Sequence, residues 1–105
     1  DLSAFLAIHN TDLKNPIKVT KVLYFNNDGK LVKEFLVGEH PLPPLGAVNY
    51  FIPQSDTSGT GANFLVEWLS DVPVSEPLIE SIMLNLEGNR GISFLSRGKV
   101  IREMR

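Results

Sequence analysis

The chain contains no cysteine among its 105 residues. That excludes disulfides, thiolate nucleophiles and every zinc or iron–sulfur site that depends on cysteine ligands. A long apolar run is missing too: no stretch approaches the roughly 18–20 residues that a helix needs to cross a bilayer. Nor is there an excess of positive charge. Ten Lys and Arg stand against twelve Asp and Glu, for a net charge of −2 and a pI near 5.6. The basic residues are scattered rather than striped, so the electrostatic footprint of a nucleic-acid binder is lacking. There is no internal repeat and no low-complexity tract.

What is present is an ordinary globular composition, 43% hydrophobic and 21% charged, in a length that suits one domain, residues 1–105. At this size a core sustains folding without a metal or a disulfide. The dominant pattern is period-two alternation cut by turn residues at short intervals, which predicts an all-β domain. Leu2 to Asn10 places Leu2, Ala4, Leu6 and Ile8 on one face. Asn10-Thr11-Asp12 and Asn15-Pro16 break the run, because Asx side chains close local turns and proline lacks a ladder donor. Ile17 to Phe25 aligns Ile17, Val19, Leu23 and Phe25, with Lys21 out of step.

Asn26-Asn27-Asp28-Gly29 then reads as a hairpin, since these residues tolerate the positive φ of tight turns. A third run covers Leu31 to Val37, and a connection rich in proline (Pro41, Pro43, Pro44) predicts an ordered crossing between sheets. Ala47 to Ile52, Asn63 to Leu69 and Ile92 to Ser96 are further strands, the first two separated by a polar loop from Gln54 to Ala62. Leu78 to Leu86 fits two periods. Leu78, Ile79, Ile82, Met83 and Leu86 make a helical stripe behind a Ser75 cap, whereas the short length and β neighbours favour a strand.

About seven short strands with turns every 8–12 residues predict an immunoglobulin-like antiparallel β-sandwich. The alternatives are a small β-barrel, or an α+β fold if 78–86 is helical. No cysteines flank Trp68, which excludes an antibody-type domain. The expected core is Leu6, Ile8, Val19, Leu23, Phe64, Val66, Trp68, Ile82 and Phe94.

No catalytic constellation emerges. A Gly-x-Ser-x-Gly elbow, which would mark a serine nucleophile, is absent. Asp56-Thr57-Ser58-Gly59 has the wrong order for an aspartic-protease signature and no apolar strand before it. Ser58-Gly59-Thr60-Gly61 lacks the Lys-Ser/Thr and the helix of a phosphate cradle. His9 and His40 have no second ligand at metal spacing, so they read as structural residues, and no metal or cofactor is implied.

Three stretches together resemble a bacterial family of small exported proteins built on a domain of unknown function. They are Ile8-His9-Asn10-Thr11-Asp12-Leu13, Ser55-Asp56-Thr57-Ser58-Gly59 through Gly61-Ala62-Asn63-Phe64-Leu65-Val66-Glu67-Trp68, and Gly91-Ile92-Ser93-Phe94-Leu95-Ser96-Arg97-Gly98. The resemblance implies export to the periplasm or cell surface, with a signal or lipoprotein segment preceding Asp1. It implies no activity, cofactor or catalytic residue.

The functional expectation is a non-catalytic binding or assembly module with a protein or cell-envelope partner. The alternative is a hydrolase using a loop-end carboxylate cluster such as Asp28, Asp56 and Glu87. If successive antiparallel strands each span the sandwich, alternate loops share an end. Asn26–Gly29, Ser55–Asn63 and Glu87–Arg90 then cluster, opposite the loops around Pro16, Pro43 and Pro73. Loops on a rigid scaffold carry function, which makes Asp28, Ser55, Asp56, Thr57, Ser58, Asn63 and Arg90 the candidate binding residues.

Overall fold

A computed structural model of the chain describes residues 3–52, 63–85 and 92–97, the backbone alone for 82–85 and 92–97. Eight strands form among them: β1 (Ser3–His9), β2 (Ile17–Phe25), β3 (Leu31–Glu34), β4 (His40–Leu42), β5 (Ala47–Ile52), β6 (Asn63–Leu69), β7 (Leu78–Asn85) and β8 (Ile92–Arg97). One sheet has the order β5-β1-β7-β8; in the other, β2 is flanked by β6 on one side and by β3 and β4 on the other. Every pairing is antiparallel. Two separate sheets make a β-sandwich, and the barrel alternative falls.

The pairings β1–β5 and β2–β6 are those at the centre of an immunoglobulin-like sandwich, where the second strand pairs the fifth and the third the sixth. Here β7 takes the place beside β1 that an N-terminal strand holds in that plan.

The core lies between the sheets. Leu6 and Ile8 of β1 meet Ile17, Val19 and Val22 of β2 and Leu42 of β4, all essentially inaccessible to water. Beside them Ala4, Ile52 and Tyr24 form a second cluster, with the Phe64 ring 5.2 Å from that of Tyr24. Burying Leu6, Ile8 and Ile17 stabilises the fold by about 1.5–3 kcal/mol each.

One expected core residue is displaced for a specific reason. Between Val19 and Lys21 the β2–β6 register slips by one, Thr20 being the extra residue. Its hydroxyl donates to the Glu67 carbonyl at 3.2 Å. A bulge reverses the inward phase of everything beyond it. Ile17 and Val19 point in, then Val22 and Tyr24, while Leu23 and Phe25 turn outward and stay half-buried. Lys21, out of step in the alternation, was the trace of that bulge.

Phe64, Val66 and Trp68 do face the core, but only half-buried, because β6 is an edge strand among the described residues. The side chains of Ile82 and Phe94 lie outside the described residues; their backbones pair with Phe5 and Met83.

The segment from Leu78 takes the favoured strand form, and two other elements differ from the sequence pattern. Residues 78–85 are a strand and not a helix, hydrogen-bonded on both sides to β1 and β8. The proline-rich connection contains β4, whose three residues pair with Ile17–Val19. The third run ends early: pairing stops at Glu34, and the chain then runs on beside β2, Phe35 donating to the Val22 carbonyl at 2.9 Å.

Candidate functional site

Of the seven candidate binding residues, Asp28 and Asn63 are described; Ser55, Asp56, Thr57, Ser58 and Arg90 lie outside the described residues. The hairpin closes through Asn26. Its Oδ1 accepts the N–H groups of Asp28 (2.9 Å) and Lys30 (3.0 Å), and its carbonyl accepts Gly29 N–H at 3.0 Å. Gly29 takes the one positive φ of the loop, +77°, in open space, so conformation and not crowding demands glycine there. Asn63 pairs with Phe25 and donates its side-chain amide to the Asn26 carbonyl at 3.3 Å. Asp28 and Asn63 therefore sit at one end, with the Asp28 side chain exposed. Of the carboxylates in the hydrolase alternative, Asp56 and Glu87 fall outside the described residues.

Next to that end, the bulge has built a surface that alternation did not predict. Leu23 and Phe25, turned outward, pair laterally with Leu65 and with Leu31. Leu31 is 54% exposed and Leu65 37%. Directly paired residues share a face, so the four form an apolar patch across β3, β2 and β6. Asn63 and the Asn26–Gly29 turn border it on one side; on the other lies the Lys21–Glu67 ion pair, 3.7 Å apart.

The opposite end is built differently. Asn10, 1% exposed, donates its side-chain amide to the carbonyls of Asn15 (3.0 Å), Leu42 (3.3 Å) and Pro43 (3.0 Å), while its Oδ1 accepts Asp12 N–H. Asp12 takes the next connection. Oδ2 accepts the N–H groups of Lys14 and Asn15, and Oδ1 accepts Ser75 N–H at 3.0 Å. These bonds, Ser75 foremost, hold the Asp12 carboxyl below its ordinary range. Thr11 adds a bond from its hydroxyl to the Glu76 carbonyl, 2.8 Å. The connections 10–16, 43–46 and 70–77 are thereby knitted together by three consecutive side chains. In sequence Asn10-Thr11-Asp12 reads as a turn within a family-like stretch, and a short polar run directly after a buried strand face is the available signal of the clamp.

The same end carries a strained residue. Gly46 N–H donates to the Pro43 carbonyl at 2.9 Å, with Leu45 at φ +63°. Pro44 fixes φ near −65°, so this is a type II turn, whose third position ordinarily belongs to glycine. Glycine stands one place later instead, because a Cβ on Gly46 would lie 2.8 Å from the Pro43 ring.

His9 and His40 are half-buried on separate sheets. No group of three His, Cys, Asp or Glu placed to hold a metal occurs among the described residues. No helix among them is long and apolar enough to cross a membrane.

The chain is thus a two-sheet antiparallel sandwich with one clamped end and a bulge-built apolar patch near the other. It belongs to the family described as Protein of unknown function (DUF3124), whose model matches residues 1–101. Comparison with curated proteins and with solved structures returned no match.

Proposed function

We propose that the protein is a non-catalytic binding module of the bacterial cell envelope, exported to the periplasm or cell surface. It engages a protein partner through the outer face of β3, β2 and β6. The observation that carries this reading is the Thr20 bulge, which turns Leu23 and Phe25 out of the core to join Leu31 and Leu65. Bulges re-aim side chains and recur near functional surfaces, and exposed apolar patches rimmed by polar groups mark interaction sites. The rim here is Asn63 and Asp28, and this reading extends it to Ser55, Asp56, Thr57, Ser58 and Arg90.

The test is cross-linking in cells that express the full-length gene, comparing wild type with the double variant Leu31→Lys, Leu65→Lys. Both positions are outward-facing, so the melting temperature should barely move while specific cross-linked species disappear. Unchanged cross-links with the variant would reject the patch as the binding surface. Fractionation of the same cells tests export: recovery of unprocessed protein from the cytosol would reject it.

A further inference from the structure

The end that Asn10, Thr11 and Asp12 knit together presents three large apolar side chains to water. Leu13 is 75% exposed, Leu45 64% and Val72 46%. Each stands on a different connection, in a turn closed by its own hydrogen bond. Around Leu13, Asn15 N–H donates to Asp12 Oδ2 at 2.7 Å; around Leu45, Gly46 N–H donates to the Pro43 carbonyl at 2.9 Å. The Ser70 hydroxyl donates to the Val72 carbonyl at 2.7 Å. The turns are in turn bound to one another, by Ser75 N–H on Asp12 and by the Asn10 amide on the Pro43 carbonyl. Three apolar tips are thus held at one end of a rigid frame.

From this we infer that the clamped end seats on a lipid bilayer, with Leu13, Leu45 and Val72 entering the interfacial layer. The strained turn points to function first. Leu45 keeps φ at +63°, where glycine would be at ease, and little burial offsets the cost of leucine. Strain of this kind persists at functional positions, and a side chain that leaves water on contact accounts for leucine there.

Two features select lipid over a protein surface. A backbone group carried into an apolar layer must keep a partner. The N–H groups of Lys14, Asn15, Gly46 and Ser75 all donate within this end, and Pro43, Pro44 and Pro73 have no N–H. The tips also project singly from separate turns. Fluid acyl chains bury each one independently, whereas a protein would need a matching surface for every tip. Lys14, Asp71 and Glu76 are the exposed charges of these turns and give no excess of positive charge, so anionic headgroups are not required. Three side chains make a reversible contact rather than an anchor, one that orients the domain on the membrane. The inference is independent of the outer-face patch, which borders the other end.

The chain has no cysteine, so the variants Leu13→Cys, Leu45→Cys and Val72→Cys each carry one environment-sensitive fluorophore. Lys30→Cys, in the hairpin at the other end, is the control. The probe is a suspension of phosphatidylcholine vesicles at millimolar lipid. At the three tips we expect a saturable blue shift and quenching by spin-labelled acyl chains, and neither at residue 30. Both should persist in about 0.5 M salt. Without a label, Leu45→Gly should co-sediment with vesicles about fivefold less than wild type, while melting higher. A purely structural role for Leu45 does not produce that pairing. Vesicles contain no protein, so this outcome is separate from that of the patch.

Four results would overturn it. One is fluorophores at the tips already shielded from water before lipid is added, since the chain itself would then cover this end. The second is an equal shift at residue 30, which marks non-specific adsorption. The third is binding that needs anionic lipid or vanishes in salt. The fourth is no shift at millimolar lipid, with shielding of the tips only in a membrane-free cell extract, which identifies a protein partner instead.

Discussion

The two ends of the sandwich solve the same problem, turning a chain between strands, by different means. At the hairpin end a single residue, Asn26, closes its own loop through neighbours within four positions. At the other end Asn10 reaches carbonyls 32 and 33 residues away, and Asp12 an amide 63 residues away. The first arrangement is local apart from the Asn63 amide on the Asn26 carbonyl, 37 residues away, and forms with the hairpin. The second exists only once three distant connections have met, so it ties the sheets to one another. A side chain that closes its own loop costs little when lost, whereas one that satisfies buried groups from several segments costs much more.

Truncating Asn10 gives the largest expected effect. Asn10→Ala removes the donor that serves three carbonyls, in a site that is 1% exposed. Leaving such groups buried and unpaired should cost about 3 kcal/mol. Asn26→Ala, at the exposed hairpin, should cost no more than about 1 kcal/mol. Equilibrium urea unfolding of the two variants checks the ranking. Equal losses would mean that the clamped end is no more cooperative than the hairpin.

A second pair tests the bulge. Val22 is wholly buried and Leu23 half-buried. Val22→Ala should cost about 2 kcal/mol, and Leu23→Ala, although it removes more carbon, less than about 1 kcal/mol. Uninterrupted alternation along β2 requires the reverse order, so the same unfolding measurement decides between the two registers.

That pair also marks where the sequence was legible and where it was not. The limits of β2, β5 and β6 could be read from alternation and from the turn residues beside them, because strand period and turn chemistry are local properties. A bulge is not local in that sense. It depends on a mismatch with β6, more than forty residues on, and only the misplaced Lys21 hinted at it. β4 escaped because three residues with a central proline carry too little pattern to read. The role of Asn10 escaped for the same reason as the bulge: its partners are distant, and a buried asparagine looks like any other turn asparagine in sequence. Of the candidate site, the nearness of Asn63 to the hairpin followed from strand order, whereas the apolar patch depended on the bulge and could not be foreseen.

Asp12 extends the clamp and makes it sensitive to acid. Its carboxylate accepts three backbone N–H groups, which lowers its pKa from the ordinary 3.8. A carboxyl whose folded pKa is depressed contributes stability above its unfolded pKa, and that contribution fades as the pH falls through the folded value. Asp12→Asn turns an amide N–H₂ toward at least one of those donors, so it should melt lower than wild type at neutral pH. The gap should close as the pH drops below about 4. A gap that stays constant from pH 7 to pH 2.5 would show that the Asp12 charge contributes nothing to the clamp.

The smallest expected effect has the opposite sign and concerns the turn Pro43-Pro44-Leu45-Gly46. Leu45 holds φ at +63° while 64% exposed, so it bears a conformational cost with little burial to offset it. A left-handed conformation costs an L-residue roughly 1–2 kcal/mol, and glycine there is free of that cost but loses about 0.5–1 kcal/mol more entropy on folding. Leu45→Gly should therefore stabilise the protein by about 0.5–1 kcal/mol. The neighbouring Gly46→Ala should do the reverse. Its new Cβ would meet the Pro43 ring at 2.8 Å and the Pro43 carbonyl oxygen at 3.0 Å, with the turn's own hydrogen bond fixing the approach. Two adjacent substitutions, one adding conformational freedom and one removing space, thus shift the melting temperature in opposite directions. If both destabilise, the Leu45 side chain makes a contribution in the folded protein that outweighs its strain, and the account of this turn fails.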